Sequence, residues 1–134
     1  MRTKVIVCLA VGLLATASTY LWAHAQAAGF TRTILQRADL STAGHEGVMA
    51  RAEFAPGAAA GRHSHPGEEI AYVLEGTLSV EITGKPAVTL NAGDVFLVPA
   101  GVIHDAKNTG TTPAKVIATY VVEKGKPMAT PATQ

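Results

Sequence analysis

From Thr33 onward the hydrophobic positions of this chain recur every second residue. Leu78, Val80 and Ile82 alternate with Thr77, Ser79, Glu81 and Thr83, the period of a strand with one buried face. Val88 and Leu90 repeat the pattern, and Val48–Phe54 shows it more loosely. Glu69–Leu74 (EIAYVL) and Val116–Val122 (VIATYVV) are strand-like, the second through its β-branched residues. Val95–Val98 is a continuous apolar run that reads as a buried strand ending at Pro99. Between these runs stand turn signals: Glu75-Gly76, Gly84-Lys85-Pro86 and Asn91-Ala92-Gly93-Asp94. Residues 26–33 read as an unpaired start, and Thr33–Leu40 fits a strand or a turn or two of helix. No segment keeps a helical period for three turns. About eight to ten short strands in one domain predict an all-β sandwich or barrel.

The amino terminus follows different rules. Arg2 and Lys4 precede the apolar run Val5–Leu14, and Ala23-His24-Ala25 offers small residues on either side of a cleavage point. That is the layout of a signal peptide cut after Ala25, with Ala27 as a near alternative. The run is short of the ~20 apolar residues that a spanning helix needs, so no stable membrane span is expected after cleavage. Cys8, the one cysteine of the 134 residues, lies in this leader. The mature part therefore offers no disulfide and no thiolate ligand. Export to the periplasm or outside the cell is the expected destination. Loss of Arg2 and Lys4 with the leader takes the formal net charge from +1 to −1. A near-neutral chain without a basic stripe gives no reason to expect a nucleic-acid partner. The expected organisation is a leader at 1–25, an N-terminal arm and first strand at 26–44, a barrel at 45–122 and a flexible C-terminal tail at 123–134.

Chemistry concentrates in four residues. His63 and His65 are one residue apart, which in a strand turns both imidazoles to one face. Glu69 follows after Pro66-Gly67, where a bend would let its carboxylate swing toward the same point. Two imidazoles and a carboxylate make a recognised transition-metal arrangement. His104 lies far along the chain, after the turn Pro99-Ala100-Gly101. Taken singly, each of these residues has an ordinary role on a strand, and spacing alone leaves a metal site open.

Two segments go further. Gly57, His63, His65, Glu69 and Gly76 fall in the spacing G-x5-H-x-H-x3-E-x6-G. Gly93, Pro99, Gly101, His104 and Asn108 fall in G-x5-P-x-G-x2-H-x3-N. Together, and in this order, they resemble the two motifs of the cupin superfamily, in particular its small single-domain bacterial members of the quercetin-dioxygenase-like type. The resemblance covers roughly residues 45–122. It implies a jelly-roll β-barrel with His63, His65, Glu69 and His104 as ligands of one divalent transition metal ion: iron, manganese, nickel, copper, cobalt or zinc. The spacing selects Glu69 over Glu68, which becomes an exposed neighbour or an acceptor beside the site. By the same analogy a homodimer is expected.

Other residues have plainer expectations. Gly57, Gly76, Gly93 and Gly101 mark turns. Asn108 either bonds nearby backbone or serves a turn. His45 and Glu46 read as a surface pair, and Arg62 as a surface charge on the face opposite His63. Tyr72, Phe54 and Phe96 read as core or cavity lining. No catalytic residue beyond the ligands can be singled out, and no organic cofactor site is expected. Four ligands leave open positions on an octahedral ion for O2, water or a small-molecule substrate. Three functions remain: a dioxygenase-type oxidoreductase, a non-catalytic small-molecule or metal-binding module, and a metal-dependent isomerase or epimerase. Fold does not choose among them.

Overall fold

A computed structural model describes residues 27–132; the leader therefore lies outside the described residues. Ten strands follow in order: β1 (Phe30–Asp39), β2 (His45–Phe54), β3 (His63–Ser64), β4 (Gly67–Glu75), β5 (Thr77–Ile82), β6 (Val88–Asn91), β7 (Val95–Val98), β8 (His104–Asn108), β9 (Ala114–Glu123) and β10 (Thr130–Pro131). They form two five-stranded sheets, ordered β1-β2-β9-β4-β7 and β10-β3-β8-β5-β6, with every pairing antiparallel. The architecture is the expected all-β jelly roll.

Alternation decides what each strand buries. Along β9 the even-numbered residues from Ala114 to Val122 point inward, and along β4 the odd-numbered residues from Gly67 to Val73 do so. Val48, Ala50, Ala52 and Phe54 of β2 join them, with Leu78 and Val80 of β5 facing from the other sheet. The core side chains are small, with Tyr120 the largest that is fully buried. Small residues let the two sheets approach closely, and that closeness brings residues of opposite sheets into contact.

Register makes Gly67 indispensable. It pairs with Val122 of β9, and a Cβ built there would stand 1.7 Å from the Val121 carbonyl oxygen. The four motif glycines at 57, 76, 93 and 101 all have φ between +73° and +97°, the left-handed region that favours glycine. Asn108, wholly buried, ties loops together: its Nδ2 donates to the carbonyls of Phe54 (3.1 Å) and Thr112 (2.8 Å), and its Oδ1 accepts from Gly110 N (2.9 Å).

Several expectations need correction. Residues 30–33 are paired rather than loose, because β1 runs the whole length of β2, with a bulge between Ile34 and Gln36. This also settles Thr33–Leu40 as strand. β7 is not a buried strand. It is the edge of its sheet, and Val95 (67% exposed) and Leu97 (50%) face outward. Tyr72 lies on the same outer surface, because its position in β4 has the outward parity. Glu46 is buried and pairs with Arg37 of the neighbouring strand at 2.9 Å, while the His45 ring turns to the Ala43 carbonyl. The segment after β9 has no core pattern, yet it returns to the barrel: Thr130 and Pro131 pair with Ser64 and His63.

Gly67→Ala should lower stability by about 3 kcal/mol, since β4 and β9 would have to separate. Urea unfolding measures it, and an unchanged midpoint would contradict the register. Asn108→Ala should cost about 2–3 kcal/mol, because two buried carbonyls and an N–H lose their partner.

Candidate metal centre

His63 and His104 sit directly opposite each other on the adjacent strands β3 and β8. Glu69 comes from β4 in the other sheet, where it lies opposite Tyr120 of β9. His65 occupies the short connection from β3 to β4, which crosses between the sheets. The four side chains therefore meet inside the barrel from two walls and the link between them. All four are buried, and one candidate ligand atom from each lies within 4.8 Å of the others.

The orientation of the rings is specific. His63 Nδ1 contacts the Gly61 carbonyl at 2.6 Å, His65 Nδ1 the Met128 carbonyl at 2.5 Å, and His104 Nδ1 the Val102 carbonyl at 3.0 Å. A carbonyl only accepts, so each Nδ1 is assigned as the N–H donor. Each neutral ring then has its lone pair on Nε2, and all three Nε2 atoms face the cluster. His63 Nε2 and His65 Nε2 approach to 3.1 Å, and Glu69 Oε2 lies 3.1 Å from both His65 Nε2 and His104 Nε2. Fixing the tautomer through the remote nitrogen is how metal-binding histidines are held ready.

The electrostatics agree. Burial, with the neighbouring His104, His65 and Arg32 adding to it, brings the His63 pKa down to about 4, so the ring stays neutral at ordinary pH. Burial alone would raise the Glu69 carboxyl, but the contacts with His104 and His65 outweigh it and hold the group below the usual carboxylate range. The site thus presents three imidazole Nε2 atoms, that of His63 on a neutral ring, and one anionic oxygen, a set that suits a divalent transition ion.

Two residues to which the sequence alone gave no role join the site. Tyr120 donates its hydroxyl to Glu69 Oε1 at 3.3 Å. Burial, then the Glu69 charge, raises its pKa, so it remains a neutral donor. Arg32 of β1 places Nη2 3.4 Å from His63 Nε2 and its guanidinium 5.9 Å from the Tyr120 ring centroid. A lone Tyr in an apolar strand and a lone Arg before the motifs carry no local signal of this role. Glu68 and Arg62 are exposed, as alternation from their buried neighbours requires. Phe54 is buried and Phe96 partly so, and both line the small space beside the four-residue cluster.

Comparison with known proteins agrees with the fold and the cluster. The family model for the cupin domain matches residues 50–123. The chain belongs to the cupin family. Among curated relatives of this cupin, germin-like protein 5-1 of Oryza sativa subsp. japonica is 44% identical over 77 residues, 54% of this chain and 35% of that protein. The rhicadhesin receptor of Pisum sativum is 40% identical over the same length. The cupin spans about a third of the length of these relatives. A solved structure of recombinant oxalate oxidase in complex with glycolate superposes with a TM-score of 0.62 at 28% identity, covering 77% of this chain and 55% of that one. A double-stranded β-helix protein from Klebsiella pneumoniae, at TM-score 0.66 and 18% identity, covers 80% of this chain and 87% of its own and shares the fold.

His104→Ala should reduce metal content from about one ion per chain to well below that, since a three-donor remnant binds far more weakly; elemental analysis reads it. Removal of residues 127–134 should weaken metal affinity by about 10–100-fold while the barrel remains folded, because His65 loses the carbonyl that orients it. Unchanged affinity by competition with a chromogenic chelator would show that the Met128 contact is idle.

Proposed function

We propose that this cupin is an exported, metal-dependent oxidoreductase of the dioxygenase type, acting on a small organic substrate with O2 as oxidant. The observation that carries the proposal is the set of three Nε2 atoms and one carboxylate oxygen turned to one buried point, each ring locked through its Nδ1. In this reading His63, His65, Glu69 and His104 hold one divalent transition metal. Such an ion, when bound, supplies redox or Lewis-acid chemistry at its open positions. The similarity to oxalate oxidase supports an oxidative over a purely sequestering role.

The protein's own residues supply the rest. Glu69 lowers the charge of the centre by one, and Tyr120 fixes the carboxylate by donating to the oxygen that is not shared with the histidines. The barrel wall of Phe54, Ala106 and Val116 leaves about 20 Å³ beside the ligands, room for roughly one water. That inner space is too small for bulk water. The leader at 1–25 supports export to the periplasm or beyond. The outer faces of β4 and β7 expose Ile70, Tyr72, Leu74, Val95 and Leu97, a strip that supports pairing of two copies through this edge.

Metal-loaded protein should consume oxygen with at least one member of a panel of oxalate, catechols, flavonols and β-diketones. Glu69→Gln should abolish that uptake. Absence of uptake with every member would overturn the oxidative reading. Oxygen-independent turnover of a sugar or keto acid would replace it with an isomerase.

A further inference from the structure

A second, larger cavity of about 530 Å³ opens outside the ligand cluster. The inner space of about 20 Å³ has room for roughly one water, so an organic molecule in the outer cavity stops short of the point where the four ligand atoms meet. Phe30, Ile34 and Ala60 wall the outer cavity from the barrel, and Pro127, Met128 and Pro131 wall it from the segment after β9. Its arginines are engaged or hydrated. Arg37 pairs with Glu46, Arg32 lies against the rings of Phe30, Tyr120 and His63, and Arg62 is exposed to solvent. The volume is that of a small-molecule site, and the walls suit an uncharged, apolar body.

The segment that closes one side is lightly held. The chain leaves β9 at Glu123 and turns at Gly125, whose φ of +79° is left-handed. Ion pairs fix the turn itself, Lys124 with Asp39 at 2.7 Å and Lys126 with Glu123 at 2.6 Å. Beyond it, residues 127–132 cross from the sheet of β9 to the sheet of β3 as a strap. The two paired positions of β10 attach the strap there, with the bond from Ala132 N to the Arg62 carbonyl (2.9 Å) and the His65 Nδ1 contact with the Met128 carbonyl. Thr130 and Pro131 are exposed, and Pro127 and Pro131 have no N–H to donate. A short exposed strand of this kind belongs to the low-stability end of a fold.

Met128 touches both sites. Its side chain packs against the core and lines the cavity, while its carbonyl orients the His65 ring. Lifting the strap removes a wall of the cavity and releases His65 in one motion. A molecule that fills the cavity meets the strap only when it is closed, and so favours the closed form. That form holds His65 Nε2 toward the cluster.

We propose that the outer cavity binds an uncharged, apolar small molecule and that residues 127–132 couple its occupancy to the metal centre, so that each ligand tightens the other. The assignment rests on the metal centre proposed above. The ligand acts through Met128 and His65, without contact with the ion.

Full-length mature protein, zinc(II) and N-phenyl-1-naphthylamine, an uncharged dye that fluoresces in apolar surroundings, provide the test. The dye should bind, and at saturation should raise zinc affinity about three- to tenfold, read by competition with a chromogenic chelator. Zinc should raise dye affinity by the same factor, because the coupling is reciprocal. Removal of residues 127–134 should weaken dye binding about tenfold or more and abolish the coupling. Ser64→Cys with Thr130→Cys joins two residues that pair between β3 and β10, within disulfide reach. Oxidised, this variant should show the raised zinc affinity without dye and gain less than about twofold on adding it, and reduction should restore the coupling. Failure of the dye to bind, zinc affinity indifferent to the dye, or full coupling in the oxidised variant would overturn the proposal and leave the metal centre standing. Tighter binding of the sulfonated analogue 8-anilinonaphthalene-1-sulfonate would overturn the uncharged ligand class. Absence of zinc binding by the wild-type chain would instead overturn the metal centre, and this assignment with it.

Discussion

One carboxylate and three imidazoles are buried in a barrel whose other inward side chains are almost all apolar. An unpaired buried carboxylate is expensive, and the surrounding structure is organised to satisfy this one. Tyr120 donates to one oxygen of Glu69, the other oxygen faces the Nε2 atoms of His65 and His104, and each imidazole meets a backbone carbonyl on its far side. Those carbonyls come from three places: the loop before β3, the turn before β8 and the segment before β10. Holding the cluster thus fixes three loops, and conversely the barrel must close before the cluster is satisfied. A cation at the centre would complete the balance that the protein groups leave open.

The two-sheet architecture explains why so small a protein can build such a site. Two sheets with small inward residues, chiefly Ala and Val, sit close together. A carboxylate from one sheet can then reach imidazoles from the other. Gly67 serves the same end on the β4 side, because its lack of a Cβ lets β9 lie against it. Larger core residues would widen the barrel and pull Glu69 away from His104.

The space around the cluster divides into a tight inner part and a roomy outer part. The inner part admits little beyond a small molecule such as water or O2, whereas the outer one is apolar with arginines at its border. Arg32 belongs to both.

Local sequence determined a great deal. Alternation marked β5 and β6, β-branched residues marked β9, glycines at 57, 76, 93 and 101 marked turns, and the resemblance of two segments to the cupin motifs singled out the four residues that the fold brings together. These features are legible because each is carried by a few neighbouring residues or by a spacing kept within one continuous stretch of chain. Tertiary structure decided the rest. The apolar run at Val95–Val98 reads as buried until its strand proves to be a sheet edge, since a strand's pattern does not name its neighbours. β1 lacks clear alternation because most of its residues are exposed, so only pairing with β2 makes it a strand. Met128, Tyr120 and Arg32 reach the cluster from strands and turns far away in sequence. Only closure of the barrel brings them there, and no residue type or spacing announces it in advance.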